Sequence, residues 1–160
     1  MARKPPVVWH PAHRSNYTTA SRRAKQIDVV VIHVTQGSYS SAINWFQTRG
    51  ADASAHYVVR SRDGKIAQCV SAQNIAWHAG DWHVNRASIG VEHEGFFDDP
   101  DWFTARMYRS SARLVAYLCK KYGIPINRRH IVGHYEVSHT ECPGSYWWWD
   151  HYMKLVRRYA

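Results

Sequence analysis

The feature that most constrains the fold is the run at residues 28–35, which reads DVVVIHVT. It is β-branched and apolar at nearly every position, as is typical of a central strand buried on both faces of a sheet. His33 is the exception, because it places an imidazole within an otherwise apolar strand. A histidine in such a strand is often a hydrogen-bonded core residue, and histidine is also a common metal ligand. The strand by itself leaves both interpretations open.

Strand and helix patterns are interspersed along the rest of the chain. The segments predicted as strands are 56–60, 66–70, 75–78, 88–94 and 130–133. The Asp63-Gly64 pair between the first two predicts a hairpin. The segments predicted as helices are 40–48, 104–122 and 145–159, and Gly123 ends the long one. This order predicts an α/β domain with a single mixed central β-sheet flanked by helices. We expect residues 1–26 to form a basic N-terminal arm packed on the domain of residues 27–160.

The charge is unevenly distributed, with 21 Lys and Arg against 12 Asp and Glu and a net charge of +9. The basic residues of the two ends are Arg3, Lys4, Arg14, Arg22, Arg23 and Lys25, then Lys154, Arg157 and Arg158. Such a field attracts polyanions, namely nucleic acid, anionic lipid or the phosphate-bearing polymers of a bacterial envelope. No recognition-helix or aromatic RNA-binding motif accompanies the charge, so we predict no specific nucleic-acid partner.

Three residues are candidate zinc ligands: His33, His134 and Cys142. His134 follows Gly133 directly after a short β-rich run, and Cys142 lies eight positions later. Imidazole nitrogen and thiolate sulfur suit zinc, and three protein ligands leave the fourth tetrahedral position for water. Zinc lowers the pKa of such a water towards roughly 7, which is the basis of metal-assisted hydrolysis. Because eleven histidines also offer accidental pairs, spacing alone does not decide the site.

Five segments give the chain its resemblance to a known family. In chain order they are VVVIHVTQG, AHYVVRSRDG, AWHAG, SIGVEHEG and IVGHYEVSHTECPG. Together they resemble the type-2 N-acetylmuramoyl-L-alanine amidases, a superfamily that includes phage lysozyme-type amidases and peptidoglycan recognition proteins. The likeness is closest to the amidase domains of bacterial autolysins and phage endolysins, and it runs from about Trp9 to the final helix. It implies the amidase-2 fold and one catalytic Zn²⁺ ion held by His33, His134 and Cys142.

The resemblance also implies a reaction and a general base. The bond cut would be the amide between the lactyl group of N-acetylmuramic acid and L-Ala of the peptidoglycan stem peptide. Many members carry a catalytic tyrosine where this chain has Ala55, and Tyr57 does not take its place. A branch without that tyrosine uses a glutamate, which corresponds to Glu92. Strand alternation puts Glu94 on the same face as Glu92, and we expect Glu94 to be structural.

Further residues receive roles from the same resemblance. Thr140 would donate to the oxyanion that develops on the substrate, and Trp77 and His78 would bind substrate. For Trp77, packing alone remains the alternative. Cys69 and Cys119 receive no role and are predicted to be buried free thiols, with a disulfide left open.

The predicted partner is bacterial peptidoglycan, with the basic termini contacting anionic envelope polymers or lipopolysaccharide. We expect a monomer. We also expect no transmembrane segment or signal peptide, because no long apolar run is visible. Such a protein would be made in the cytoplasm and act on the cell wall as an endolysin, or be secreted if an export signal has been removed. The alternative function is a non-catalytic peptidoglycan-binding module, although such relatives commonly lose the cysteine that this chain keeps.

Overall fold

The computed structural model describes residues 2–160, and a six-stranded mixed sheet forms its centre. The strands are β1 (Val8–Trp9), β2 (Tyr17–Thr18), β3 (Val29–Val34), β4 (Tyr57–Val59), β5 (Ile66–Gln68), β6 (Ile75–Ala76), β7 (Ser88–His93) and β8 (Ile131–Gly133). The order across the sheet is β1-β5-β4-β7-β3-β8, while β2 and β6 form a separate antiparallel pair. Strands β4, β7, β3 and β8 run parallel to one another, and β4 and the antiparallel β5 form the predicted hairpin.

Strand β3 occupies the interior of the sheet, between β7 and β8. Its side chains from Val30 to Val34 are all buried, as its continuous apolar sequence predicts. The carboxyl ends of parallel strands meet at one edge of a sheet, where ligands bind in many α/β folds. His33 near the end of β3, Glu92 on β7 and His134 directly after β8 therefore lie at the same edge.

Helices cover both faces of the sheet. They are α1 (Tyr39–Gln47), α2 (Trp82–Ala87), α3 (Ala105–Tyr122) and α4 (Trp149–Tyr159). Helix α3 packs against α4 and buries the stripe that includes Met107, Leu114 and Leu118 in the larger core. Helix α1 packs Ile43 and Phe46 into a second core on the sheet. The predicted mixed sheet flanked by helices is confirmed, and none of the four helices is long and apolar enough to cross a membrane in the described part of the chain.

Two helices differ from the sequence-based prediction. The last helix begins at Trp149 rather than at residue 145, because Gly144 has a φ of 88° and residues 145–148 continue as a loop. That loop buries Trp147 in the core and leaves Trp148 exposed. Helix α2 was not predicted, because six residues give less than two turns of periodic signal. Its N-terminus is capped by Asp81, which accepts a hydrogen bond from the Val84 N–H at 3.0 Å.

Arg22 attaches the N-terminal segment to the domain. Its side chain is 7% exposed, unlike those of Arg23 and Lys25, so it does not contribute to a surface that a polyanion contacts. Its guanidinium donates to five backbone carbonyls, those of Ala72, Asn74, Asn85, Arg86 and Ser88. Burial lowers the pKa of Arg22 to about 10. The carbonyl dipoles stabilise the buried cation in place of a carboxylate.

Candidate metal centre

The three predicted zinc ligands come together at the carboxyl edge of the sheet. One donor atom from each of His33, His134 and Cys142 lies within 4.8 Å of the others. The Cys142 Sγ is 4.0 Å from the His33 Nδ1 and accepts a hydrogen bond from the Val34 N–H at 3.2 Å. Donors of a tetrahedral zinc site are spaced by roughly 3.3–3.6 Å, given metal–ligand bonds of roughly 2.0–2.3 Å. A small contraction of the cluster therefore suffices to close around one ion.

Both histidine rings turn Nδ1 towards the centre of the cluster, because the Nε2 atom of each ring contacts another group. The His33 Nε2 is 2.8 Å from the His78 Nδ1, and the His134 Nε2 is 2.9 Å from the Ala79 carbonyl oxygen. A carbonyl oxygen only accepts, so neutral His134 carries its proton on Nε2 and has a lone pair on Nδ1. With Nε2 of each ring bonded elsewhere, Nδ1 is the free donor atom of each. Two imidazole nitrogens and a sulfur are a donor set that suits zinc.

Burial sets the protonation of these groups. Burial lowers the pKa of His33 well below its usual range, and the neighbouring His134 and His93 lower it further. Burial also lowers the pKa of His134. Both rings are therefore neutral at neutral pH, as metal ligation requires. Burial raises the pKa of the Cys142 thiol to about 12, with the nearby Glu92 carboxylate adding to the effect. A nearby divalent cation reverses this preference and favours the thiolate.

Glu92 lies beside the cluster with an unused oxygen. It pairs with His33 in the parallel register of β7 and β3, so both side chains leave the sheet on one face. The Glu92 Oε2 is buried without a hydrogen-bond partner, and burial raises the pKa of Glu92 to about 8. An unpaired carboxylate in such a place is costly unless it binds a proton or faces a cation. The orphaned oxygen therefore fits a site that contains a metal ion and a water.

The remaining residues that the sequence analysis considered lie outside the cluster. Glu94 accepts hydrogen bonds from the Tyr39 N–H at 2.8 Å and the Ser61 N–H at 2.9 Å, so both its oxygens bind backbone. Tyr57 is buried in the core against α3, and Ala55 is buried in the core against α1. His139 is exposed. Cys69 and Cys119 are buried and free, as predicted.

Two clefts of about 580 Å³ each lie near the cluster; one is lined by His134, and the other by residues next to Cys142 in the chain. The first contains Thr140, whose Oγ1 accepts a hydrogen bond from the Cys142 N–H at 3.3 Å. Its wall is aromatic and is formed by Phe97, Tyr135, Tyr146, Trp147 and Trp149. The second cleft is lined by His134 and by Trp77, whose Nε1 donates to the Thr18 hydroxyl at 3.0 Å. Trp77 is thus held by its polar edge while part of it faces the cleft.

His78 lines the second cleft and also lies directly behind His33. Its Nδ1 contacts the His33 Nε2, and its Nε2 is 2.9 Å from the Ser88 Oγ. The ring packs on Gly90, where a Cβ atom would lie 2.4 Å from the His78 Cγ. Only a glycine at position 90 leaves room for this ring. The structure thus connects His78 to a predicted metal ligand, a contact that the sequence did not indicate.

Sequence reasoning also missed Asn85. Its Oδ1 accepts hydrogen bonds from the N–H groups of His78, at 3.3 Å, and Ala79, at 2.9 Å. Asn85 lies on α2, and the helix itself was not predicted. The one available signal was Asp81, a residue type that commonly caps a helix N-terminus.

Comparisons with known proteins agree on one family. The family model described as "N-acetylmuramoyl-L-alanine amidase" matches residues 23–145. N-acetylmuramoyl-L-alanine amidase A of Achromobacter lyticus is 36% identical over 94% of this chain and 93% of that protein. The 1,6-anhydro-N-acetylmuramyl-L-alanine amidase AmpD of Haemophilus influenzae is 35% identical over 65% of this chain and 59% of that protein. The solved catalytic domain of XlyA shares the fold, with a TM-score of 0.75 at 21% identity over 95% of this chain and 99% of that one.

Proposed function

The chain belongs to the N-acetylmuramoyl-L-alanine amidase family, and on that premise we propose that it is a zinc-dependent amidase of bacterial peptidoglycan. The bond cut is the amide between the lactyl group of N-acetylmuramic acid and L-Ala of the stem peptide. One observation carries the proposal: two neutral imidazoles and a thiol converge beside a carboxylate oxygen that has no partner. A purely structural zinc site uses four protein ligands. A cluster of one sulfur and two nitrogens with an adjacent acid therefore fits a hydrolytic site better than a structural one.

His33, His134 and Cys142 would hold the ion, with the histidines binding through Nδ1. Bound there, zinc supplies a Lewis acid that polarises the scissile carbonyl and makes water more acidic. The protein's part is to fix the ligands and their hydrogen-bond partners. The neutral state of both buried histidines favours this binding at neutral pH.

Glu92 acts as the general base and then as the general acid. Its carboxylate removes a proton from the attacking water, and the same carboxyl group passes that proton to the leaving amine of L-Ala. A group that does both works best with a pKa near the operating pH. Burial raises the pKa of Glu92 to about 8 in the metal-free protein, and a divalent cation beside it would lower this pKa towards the neutral range that the double role needs.

Thr140 stabilises the oxyanion that develops on the scissile carbonyl. Its Oγ1 accepts the Cys142 N–H, which leaves the hydroxyl proton free to donate. Preorganised donors of this kind contribute roughly 10²–10³ in rate when they point at developing charge. The contact with Cys142 keeps the hydroxyl beside a metal ligand.

The two clefts suit a substrate with two arms. The scissile amide joins a glycan strand to a peptide, so the substrate must leave the reacting centre in two directions. One cleft begins at His134 and contains Trp77 and His78, and the other contains Thr140. Aromatic walls offer rigid contact area to sugar rings and peptide side chains at low entropic cost.

The proposed site of action is the bacterial cell wall. The enzyme would be made in the cytoplasm and act on the wall as an endolysin, or act as a secreted autolysin. The basic residues Arg3, Lys4, Arg157 and Arg158 are exposed, which supports contact between the termini and anionic envelope polymers.

Product analysis on purified sacculi tests the function. Mass spectrometry should find stem peptides with a free L-Ala amine and unbroken glycan strands, and a chelator should stop their release until zinc is restored. A protein that binds sacculi without releasing peptide would instead be the alternative, a non-catalytic binding module.

A further inference from the structure

One loop contacts both histidine ligands from outside the candidate metal centre. Residues 77–80 follow β6, and two of them provide acceptors for ring nitrogens. The His78 Nδ1 lies 2.8 Å from the His33 Nε2, and the Ala79 carbonyl lies 2.9 Å from the His134 Nε2. The two candidate ligands are 101 positions apart in the chain, yet a single loop contacts the Nε2 atom of each.

The Ala79 carbonyl selects one tautomer of His134, and the contact with His78 allows the same tautomer for His33. Ala79 offers only a carbonyl oxygen, so His134 must carry its proton on Nε2. For His33, donation from Nε2 to the His78 Nδ1 leaves the His78 Nε2 proton to reach the Ser88 Oγ at 2.9 Å. Every polar atom of this chain of groups is then satisfied, and Nδ1 of both ligands is left with a lone pair. Outer contacts of this kind orient ligands and raise their basicity.

Asn85 fixes the loop without touching either ligand. Its Oδ1 accepts both N–H groups at the centre of the loop, those of His78 and Ala79. Asn85 is 6% exposed, and its carbonyl accepts a hydrogen bond from the buried Arg22 at 3.2 Å. The side chain therefore cannot swing away without leaving two N–H groups without a hydrogen-bond partner, which is unfavourable.

We propose that His78 and Asn85 are positioning residues of the metal centre: they hold the Nε2–H tautomer and the orientation of His33 and His134, and so set the affinity for zinc. The inference rests on the proposed function, since it concerns the same centre. In this proposal His78 orients His33, and the part of its ring that faces the cleft remains available to contact substrate.

Zinc affinity, measured by competition with a chromogenic chelator, tests the proposal in the 160-residue chain. His78→Ala and Asn85→Ala should each weaken zinc binding about 10–100-fold, whereas the acceptor-retaining variants His78→Asn and Asn85→Asp should stay within about threefold of wild type. Asparagine carries its Oδ1 on Cγ, where histidine carries Nδ1, and aspartate keeps the Oδ1 acceptor. His83→Ala, an exposed histidine on α2, is the matched control and should leave affinity unchanged.

The outcomes separate the inference from the function on which it rests. Equal zinc affinity in Asn85→Ala and wild type would overturn the inference alone, and absence of zinc binding by wild type would overturn both. Ring ¹⁵N chemical shifts of the zinc-free wild type provide a second measurement that does not depend on how well the variants fold. They should report Nε2–H for His33 and His134, and an Nδ1–H form of either would contradict the proposal.

Discussion

His33 and Glu92 are direct partners in the parallel register of β3 and β7. Adjacent strands lie about 4.8 Å apart, so the sheet itself places the first candidate zinc ligand beside the candidate base. Neither side chain needs a loop to reach the other. The rigid centre of the sheet therefore supports the part of the site that most needs fixed geometry.

The substitution Glu92→Gln should abolish most of the activity while leaving the zinc site intact. The amide side chain would keep the shape of the carboxylate but could not accept a proton, and general-base catalysis contributes roughly 10²–10⁴ in rate. Peptide release from sacculi should fall by at least about 100-fold, with one zinc still bound per chain by elemental analysis. Near-wild-type turnover would rule out Glu92 as the base.

Zinc should stabilise the folded protein through its three ligands. A ligand that binds only the folded state at 100 times its Kd adds about 2.7 kcal/mol to the free energy of unfolding. We expect zinc to raise the thermal midpoint of the chelator-treated wild type and to leave that of His33→Ala unchanged. Cys119→Ala, which removes a buried thiol elsewhere, is the control and should keep the zinc-induced rise. An equal rise in His33→Ala would place the ion elsewhere.

Arg22→Met should destabilise the fold. Methionine fills much of the same volume but leaves five backbone carbonyls without the guanidinium that they now bind. Unpaired buried polar groups cost about 1–3 kcal/mol each, so a loss of at least about 3 kcal/mol is expected in urea denaturation. The nearby Lys25→Ala, at an exposed position, should change stability by less than about 0.5 kcal/mol. Similar effects of the two substitutions would refute the structural role of Arg22.

Acidification should destabilise the protein in part through His56. Burial, with a smaller contribution from the Arg22 charge, lowers the pKa of His56 to about 3. The unfolded chain binds a proton at this residue below a pH of about 6.5, whereas the folded chain does not until about pH 3. The stabilising effect is therefore complete above about pH 6.5 and is lost as the pH falls towards 3, at up to about 1.4 kcal/mol per pH unit.

The measurement is urea denaturation between pH 7.5 and 4.5 for wild type and His56→Gln. The variant should be less stable at pH 7.5, because it loses the contacts of His56 with the Gly90 N–H and the Asn74 carbonyl. Its stability should nevertheless fall less steeply with decreasing pH, since one titrating group is gone. Parallel curves for the two proteins would show that His56 binds protons equally in the folded and unfolded states, so that folding does not shift its pKa.

Local patterns in the sequence determined the framework of this protein. The β-branched run identified β3, the Asp63-Gly64 turn identified the hairpin, and Gly123 correctly ended α3. These signals lie within a few residues of the elements that they predict, because strand alternation, turn chemistry and helix capping are short-range effects. The ordered motifs likewise indicated the family, which the comparisons confirm.

Tertiary structure alone decided which polar groups meet. Arg22 contacts carbonyls up to 66 positions away, and Asn85 holds the loop that contacts the candidate ligands His33 and His134. His78 meets His33 only because β3 and the loop after β6 pack together, with Gly90 leaving space for the ring. The spacing of two residues along the sequence does not give the distance between their side chains in the folded protein. The burial of a charge and the partner of a ring nitrogen are properties of the packed chain, so they follow from the fold and not from sequence spacing.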